Sequence, residues 1–479
     1  MGQILSLPIT EKHSENVKDE RFAYGLSCMQ GWRIQMEDAH ATILNLYESQ
    51  NKTEDFDEED NRFARKEDDD ILLTQDGVPR DQVAFFGVYD GHGGEKAAIY
   101  TGKHLHNIIR CTDAFKKGDY INAFKEGYLS CDQAILSSPS MRDDDSGCAA
   151  TSVIVSPKHI ICGNAGDSRS IMSINGYAKA LSYDHKPSNE GEKARICSAG
   201  GYVDMGRVNG NLALSRGIGD FEFKKNVNLP AEEQIVTCYP DVIQHETDLS
   251  KDEFLVLACD GIWDCLTSQK CVECVRRGIF ERKDLEKICE DIMELCCAPT
   301  SDGSGIGCDN MSIVIVALLD HANNETLEQW YEKIIKRIEI AQEDDKQFKY
   351  GPISAPYDDI YKEMYGSGYE IGRQSQGSKG KGNGSGFGFD DSQNDDADDI
   401  PQENGDITAG NGAISLQKLL ASNAITNENG VIYLDTSSAQ SLLAHFGMAE
   451  EGAGEEDAED NHIEAEEVED EDEEDASKE

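Results

Sequence analysis

One short stretch, residues 83 to 94, constrains the fold more than any other part of this chain. It reads Val-Ala-Phe-Phe-Gly-Val-Tyr-Asp-Gly-His-Gly-Gly, an apolar run of strand length that ends in an acid, a histidine and glycines. Side chains alternate along a strand, so Phe86, Val88 and Asp90 share one face. The apolar pair would anchor the strand in a core, while Asp90 and His92 emerge at the rim of a sheet. An Asp-Gly pair is also common in plain turns.

Three further acids lie where predicted strands meet polar turns. Asp167 falls in a glycine-rich loop after a strand predicted at 159–163, and we expect this loop to expose its carboxylate. Asp260 follows a predicted strand at 254–259 and repeats the Asp-Gly pair, whereas Asp309 precedes a predicted strand at 311–318. Each junction offers an acid, although spacing alone does not show that the four converge.

Such a set of acids favours a particular chemistry. Strand-end carboxylates without a cysteine or histidine cluster suit hard divalent ions such as Mg²⁺ or Mn²⁺. Two such ions about 3.5 to 4 Å apart would clamp a phosphoryl group and lower the pKa of a water between them. An arginine beside them would bind phosphate oxygens through two parallel hydrogen bonds, and a histidine could protonate the leaving alkoxide.

Residues 24 to 40 are predicted to form an opening hairpin that turns at Gln30-Gly31. In its second half, the alternation of a strand places Arg33, Gln35 and Glu37 on one side. A cation and a carboxylate would then face the same way. The alternative is a solvent-facing edge strand with an Arg–Glu ion pair.

Hydrophobic periodicity predicts the remaining elements. Helices are expected at 95–110, 120–137 and 190–198, and after a cap at Asn324 with an apolar stripe from Leu327 to Ile338. Strands are expected at 151–156, 159–163, 169–174 and 235–245, and a flap is expected at 203–215 around a turn at Asn209-Gly210.

The charge of the chain restricts its partners and its location. Its formal net charge is −49, and residues 450–479 are almost wholly acidic, which predicts a disordered tail. Nucleic acid is therefore an unfavourable partner. No apolar run reaches membrane-spanning length and no signal peptide is recognisable, so we expect an intracellular, cytoplasmic protein, with nuclear entry left open.

The chain has 15 cysteines, an odd number that suits buried thiols in a reducing compartment better than a disulfide framework. Cys271 and Cys274, with Cys296 and Cys297 further on, have a spacing that a zinc site could use. However, they share helical faces with apolar residues, after a cap expected at Ser268. We therefore interpret them as buried helical thiols.

The first six residues, Met-Gly-Gln-Ile-Leu-Ser, fit the pattern for N-myristoylation of Gly2. One acyl chain holds a protein at a membrane only marginally, and neither a basic patch nor an adjacent cysteine reinforces it. Weak, reversible membrane contact is the most that this motif predicts.

Six motifs in a fixed order now give the chain a family resemblance. They are Arg-x-x-x-Glu-Asp at 33–38, Val-Tyr-Asp-Gly-His-Gly-Gly at 88–94, Gly-Asp-Ser-Arg at 166–169, Leu-Ala-Leu-Ser-Arg-x-x-Gly-Asp at 212–220, Asp-Gly-Ile-Trp-Asp at 260–264 and Asp-Asn-Met-Ser at 309–312. From about residue 22 to 319 the chain resembles the metal-dependent protein serine/threonine phosphatases of the type 2C (PPM) family.

The resemblance implies an α+β fold, a four-layer αββα sandwich, with a metal site between the edges of its two sheets. It implies two ions, Mg²⁺ or Mn²⁺, bridged by Asp90, with the Gly91 carbonyl as a further ligand. By the same resemblance, other positions complete the site: Glu37, Asp260 and Asp309 as ligands, Asp38 as a supporting acid, Asp167, Asp260 and Asp264 for a weaker third ion, Arg33 for the substrate phosphate, and His92 as general acid. The implied substrates are phosphoserine and phosphothreonine proteins.

The expected organisation has five parts: an N-terminal segment at 1–21, a phosphatase domain at 22–320 with an acidic insertion at 51–80, a helical extension at 321–365, a Gly/Ser/Asp/Asn-rich linker at 366–449 and the acidic tail at 450–479. Short amphipathic islands at 414–421 and 440–448 interrupt the linker. We expect a monomer whose acidic segments could recruit basic proteins.

Residues 146–151, Ser-Gly-Cys-Ala-Ala-Thr, depart from the usual Ser-Gly-Ser-Thr-Ala run of the family but remove no ligand. The alternative to an enzyme is a non-catalytic protein of the same fold that binds basic partners. Such a protein typically lacks one of the aspartates, the glutamate or the arginine, and none is missing here.

Overall fold

The computed structural model describes residues 4–47, 81–141, 144–301, 305–343, 349–366, 425–428 and 431–434. Gly2, the predicted acidic insertion and tail, both amphipathic islands and most of the predicted linker lie outside these residues. The chain divides into two compact units, Met1–Asn383 and Gly384–Glu479.

The strands of the described residues, in chain order, are β1 Ile4–Lys18, β2 Phe22–Arg33, β3 Ala39–Ile43, β4 Ala84–His92, β5 Gly147–Val155, β6 His159–Ala165, β7 Arg169–Ile174, β8 Tyr177–Ala180, β9 Val203–Asp204, β10 Arg207–Val208, β11 Ile218–Gly219, β12 Asp241–Glu246, β13 Asp252–Ala258, β14 Met311–Leu318, β15 Ile425–Glu428 and β16 Val431–Leu434. The last two pair with each other in the second unit.

The helices of the same residues all belong to the first unit: α1 Lys96–Cys111, α2 Asp113–Lys116, α3 Tyr120–Ser137, α4 Glu190–Ser198, α5 Asp260–Trp263, α6 Ser268–Phe280, α7 Leu285–Cys296, α8 Leu327–Glu343 and α9 Tyr357–Tyr365. No helix of the described part is long and apolar enough to cross a bilayer.

Two antiparallel sheets form the centre of the first unit. One has the strand order β1-β2-β14-β13-β7-β8, and the other has the order β12-β6-β5-β4-β3, with β11 added beside the start of β5. Phe86 and Val88 of β4 are completely buried in a core that also contains Leu257 of β13 and Val314 of β14. The sheets therefore pack face to face.

Helices cover the outer face of each sheet. Phe85 and Tyr89, the neighbours of Phe86 and Val88 along β4, point the other way and pack with α1 and α3. The outer face of the first sheet packs against α6, α7 and α8. The four layers confirm the predicted αββα sandwich, and the alternation along β4 confirms the predicted orientation of its two apolar residues.

Several helices match their predicted positions because their end signals are local. Asp119 accepts a hydrogen bond of 3.1 Å from the Asn122 amide and caps α3. The prediction of Ser268 as the cap of α6 was wrong by one residue, since Thr267 accepts from the Lys270 amide. Cys271 and Cys274 are buried in α6, which confirms buried helical thiols.

The prediction of a hairpin at 24–40 was wrong. β2 continues through Gln30 and Gly31 to Arg33, and its hairpin partner is the preceding strand β1. Gly31 has a φ of 65° inside the strand and lies against the carbonyl of Asp309, so this glycine serves a close approach rather than a turn. The alternation proposed for Arg33, Gln35 and Glu37 fails because residues after 33 leave the strand.

Three smaller predictions also need correction. Asn324 adopts a left-handed conformation before α8, and Thr326 instead accepts from the Gln329 amide. The strand expected at 235–245 begins only at Asp241, directly after Pro240. The flap strands β9 and β10 turn at Met205-Gly206, while Asn209-Gly210 forms a second turn that brings Val208 beside Leu212.

Candidate active site

A cavity of about 670 Å³ opens between the ends of the two sheets. Its walls contain eight of the predicted site residues: Arg33, Glu37, Asp90, Gly91, His92, Asp167, Asp260 and Asp309. The remaining wall residues are Ile34, Gln35, Gly93, Ala149, Arg207, Asn211, Leu212, Ala213, Leu214 and Asn310. The structure therefore brings the acids of all four strand junctions into one cleft.

Strand pairing explains why three of these acids meet. β13 lies beside β14, with Ala258 opposite Ile313, so Asp260 and Asp309 fall at the same end of the first sheet. Asp90 lies near the end of β4 in the second sheet. Because the sheets face each other, the three carboxylates approach from both sides of the sandwich.

Glycine allows the backbones around these acids to come close. A side chain at Gly91 would overlap the carbonyl of Glu37, and one at Gly261 would overlap the carbonyl of Asn310. Neither position has room for a side chain, so both need glycine. The close backbone approach at Gly91 brings Glu37 beside Asp90, and the approach at Gly261 brings Asp309 beside Asp260.

Asn310 is a site residue whose role we did not predict. Its Nδ2 donates to the carbonyls of Gln30 and Gln35 at 2.8 and 3.0 Å, and its Oδ1 accepts from the Glu37 amide at 3.0 Å. These three bonds fix the end of β2, which carries Arg33, and the turn after it, which carries Glu37. Asn310 belongs to the Asp-Asn-Met-Ser motif at 309–312, but nothing in the sequence predicts its contacts with residues 30–37.

The partly buried carboxylates repel one another. Burial raises the pKa of Asp38, and the net pKa is about 7. A hydrogen bond of 2.7 Å from Ser312 lowers this pKa, whereas the charge of Asp309 raises it. Burial and then the charge of Asp260 raise the pKa of Asp90 well above its usual range. The pKa of Asp260 is raised by burial and then by Asp167. A cation would relieve this repulsion.

The donor set fits a hard divalent ion. The Oδ1 atom of Asp38 is buried and has no hydrogen-bond partner among the described residues. Ligand atoms of Asp38, Asp90 and Cys259 lie within 4.8 Å of one another. Burial keeps the Cys259 thiol protonated by raising its pKa, and Cys259 donates to the Asn310 carbonyl, so the oxygens are the available ligands.

Asp167 differs from its prediction. We expected an exposed carboxylate, but only 8% of its side chain is accessible, and Lys186 donates to Oδ2 at 2.7 Å. The exposure was mispredicted because β6 extends to Ala165 and the segment at 184–186 packs on the loop, with the His185 amide bound to the Gly166 carbonyl.

His92 and Arg33 each contact a carboxylate. Nε2 of His92 lies 2.8 and 2.9 Å from the two oxygens of Asp220. Burial alone would lower the pKa of His92, but the charge and hydrogen bonds of Asp220 outweigh it, and the pKa is raised. Arg33 bonds to Asp309 through Nη2. Asp220 was part of a recognised motif, but nothing in the sequence predicted its contact with His92.

Two predicted residues lie beside the cleft without lining it. Asp38 accepts a hydrogen bond from Ser312 and has a carboxylate oxygen within 4.8 Å of one of Asp90, and Asp264 follows the short helix α5. Burial raises the pKa of Asp264, as do the charges of Asp167 and Asp309, so this acid belongs to the same electrostatic cluster. The metal-binding role of each residue stays a prediction.

The chain also matches known proteins in sequence. The profile of the family described as "Protein phosphatase 2C" matches residues 55–305. "Protein phosphatase 2C homolog 2" of Hypocrea jecorina is 47% identical over 377 residues, which cover 79% of this chain and 80% of that protein. "Protein phosphatase 2C homolog 3" of Schizosaccharomyces pombe is 49% identical, with 78% of this chain and 79% of that protein covered.

Among solved structures, a phosphatase from Toxoplasma gondii matches with a TM-score of 0.50 and 24% identity, covering 64% of this chain and 96% of that one. This likeness supports the fold alone.

The sandwich, its carboxylate cleft and these matches define a protein phosphatase. More narrowly, the chain belongs to the protein phosphatase 2C family, whose members are metal-dependent.

Proposed function

We propose that the chain hydrolyses phosphoserine and phosphothreonine in proteins with the help of two divalent ions, Mg²⁺ or Mn²⁺. The observation that carries this proposal is the convergence of Asp90, Asp260 and Asp309 on one cleft that Arg33 and His92 also line. When bound, the ions supply Lewis acidity, since they neutralise phosphate charge and lower the pKa of water.

The residues that would hold the two ions come from both sheets. Asp90, the Gly91 carbonyl and Glu37 would approach from one side, and Asp260 and Asp309 from the other. Asp38 would support this group, because its buried Oδ1 has no other partner among the described residues. Asp167, Asp260 and Asp264 would hold a weaker third ion.

Arg33 would bind the phosphate. Its guanidinium is planar and carries donors that match two phosphate oxygens at once. Its contact with Asp309 keeps these donors beside the carboxylates of the cleft. A phosphate monoester that enters the cleft would therefore meet this cation beside the acids.

His92 would donate the proton that the departing serine or threonine oxygen needs. Asp220 binds Nε2, which leaves Nδ1 as the donor. Asp220 also favours the positively charged imidazole, the form that can donate. No group of the chain is required to form a bond to the phosphate.

The test is phosphate release from a phosphothreonine peptide by the full chain with Mn²⁺ or Mg²⁺, repeated with EDTA and with the Asp260→Asn variant. We expect turnover that EDTA and the substitution both abolish. Asp359→Asn is a matched control, because Asp359 lies on the surface of α9. Absence of turnover by folded, metal-loaded protein would favour the non-catalytic binding role instead.

A further inference from the structure

One ion pair at the edge of the cleft involves a lysine that the proposed mechanism does not use. Nζ of Lys186 donates to Oδ2 of Asp167 at 2.7 Å. The side chain of Asp167 is 8% accessible and that of Lys186 is 40% accessible. The ammonium thus reaches a nearly buried carboxylate from a partly exposed position.

The backbone holds Lys186 in this place. The preceding residue, His185, is tied to the loop that carries Asp167: its amide donates to the Gly166 carbonyl at 3.0 Å, and its Nδ1 accepts from the Gly166 amide at 3.2 Å. The carbonyl of Lys186 itself accepts from the Asn189 amide at 3.0 Å. Lys186 is therefore fixed relative to Asp167.

The charge of Lys186 acts on several acids. Burial would lower the pKa of Lys186, but Asp167 outweighs it and raises the pKa, and Asp260 and Asp184 add to this increase. Among the charges that act on Asp264, Lys186 is the one that lowers its pKa. Asp184 already has a cation, because Arg169 binds both of its oxygens at 2.8 Å.

The acids that remain are Asp167, Asp260 and Asp264, which are also the three carboxylates assigned above to the weaker third ion. An ammonium and a divalent ion repel each other, and both seek the oxygens of Asp167. A divalent ion that binds these acids must displace Lys186 from Asp167 or remain close to its positive charge.

We propose that Lys186 is a resident cation that competes with the third divalent ion for Asp167 and thereby keeps the affinity of that ion low. This inference rests on the proposed function, because it concerns an additional ion at the same cleft. Through its effect on Asp167, Lys186 determines how many divalent ions the cleft binds at a given concentration of free Mn²⁺.

The test is a titration of the full chain with Mn²⁺. Binding is measured by calorimetry and by the electron paramagnetic resonance signal of free Mn²⁺. Lys186→Gln removes the competing charge. We therefore expect the dissociation constant of the weak phase, which is the weakest specific Mn²⁺ site, to fall about tenfold. Lys186→Arg keeps a cation and should leave that phase close to the parent value. Lys287→Gln, which removes an equal charge from surface ion pairs of α7, should change nothing.

Ions bound loosely to the acidic segments are a background in this experiment. Asp167→Asn removes the proposed site but retains those segments, so its titration is subtracted from the others. Circular dichroism melting establishes that each variant is folded, and Lys186→Met replaces Lys186→Gln if the latter unfolds.

The outcomes separate this inference from the proposed function. If the two tighter ions and phosphate release are present but the weak phase is equal in the parent and in Lys186→Gln, the competition is disproved. If the tighter ions themselves are absent, the proposed two-ion function fails instead. If subtraction of the Asp167→Asn titration leaves no weak phase in the parent, the inference is also overturned, because the weak ion then binds elsewhere than at Asp167.

Discussion

Asp220 is strained and buried, and it contacts the proposed general acid. Its φ of 53° lies in the left-handed region, and its residue is only 4% accessible. Gly147 leaves the space that its carboxylate fills, because a side chain there would overlap Asp220. A strained, buried acid that holds His92 indicates that the surrounding structure fixes this contact.

We predict that Asp220→Asn lowers kcat by about 10²-fold, which is typical for the loss of a positioned acid. Asparagine tolerates the left-handed backbone, so the fold should survive. Because Asp220 raises the pKa of His92, its removal should move the alkaline limb of the rate profile to lower pH. The profile of kcat against pH checks this.

The companion variant His92→Gln should lose that limb entirely. An unchanged limb in Asp220→Asn would mean that another group, and not His92, donates the proton.

Asn310 holds residues 30–37, the end of β2 and the turn after it, through three hydrogen bonds. We predict that Asn310→Ala weakens Mn²⁺ binding roughly 10- to 100-fold, the usual effect of losing a residue that orients metal ligands. Calorimetric titration measures the affinity. Asn310→Asp retains the acceptor for the Glu37 amide but loses both donors, so it should fall between the parent and Asn310→Ala.

The residues that sequence analysis identified share a simple property. Asp90, Asp260 and Asp309 adjoin clear strands, so a local pattern placed them at sheet ends. Lys186, Asp220 and Asn310 act through partners between 19 and 280 positions away. No local pattern encodes such contacts, and only the fold brings them together.

Helix α4 and the adjoining flap depend on one buried acid. Glu192 of α4 accepts from Arg195 at 2.7 Å, from Ser215 at 2.6 Å and from Arg216 at 2.7 Å. Arg216 continues to Asp241 at 2.8 Å. This network fixes the base of residues 211–214, which line the cleft.

The network predicts acid sensitivity. Burial alone would raise the pKa of Glu192, but Arg216 outweighs it and the pKa falls from 4.5 to about 2. The stabilisation is therefore complete above about pH 4.5 and is lost as the pH falls towards 2. It amounts to on the order of 3 kcal/mol.

Urea unfolding of the parent and of Glu192→Gln at several pH values tests this prediction. The difference in unfolding free energy should be large at pH 7 and shrink below pH 4.5. A difference that is independent of pH would show that Glu192 acts through packing alone.

Elements were predicted where local signals were strong. α3, α4, β7 and β14 have their predicted bounds, because caps, turn residues and β-branched runs mark them. β1 was missed because residues 10–18 are mostly polar and become a strand only by pairing with β2. The same pairing explains the error at Gln30-Gly31, since a glycine at a close backbone approach resembles a turn in sequence.

Helix α8 is part of the hydrophobic core of the first unit. Trp330 is completely buried and donates to the Glu253 carbonyl at 2.9 Å. Glu253 is itself buried with Arg276, and Arg337 of α8 binds it at 3.0 Å. The helix thus joins the first sheet through both apolar and charged contacts.

We predict that Trp330→Ala lowers the free energy of unfolding by about 3–5 kcal/mol, because it leaves a large cavity against β13. Urea denaturation measures this change. Tyr331→Phe is the control: it removes one hydrogen bond of 2.7 Å to the Lys283 carbonyl and should cost only about 1 kcal/mol. Equal effects of the two would mean that α8 contributes little to the core.

The order of strands in the first sheet has a consequence for synthesis of the protein. β14 lies between β2 and β13, so a ribosome must translate residue 318 before these two strands can be joined. Until then, the nascent chain carries two open strand edges that could pair with other chains. Nascent chains arrested before residue 311 should therefore depend on chaperones, whereas those extended beyond 318 can close the sheet.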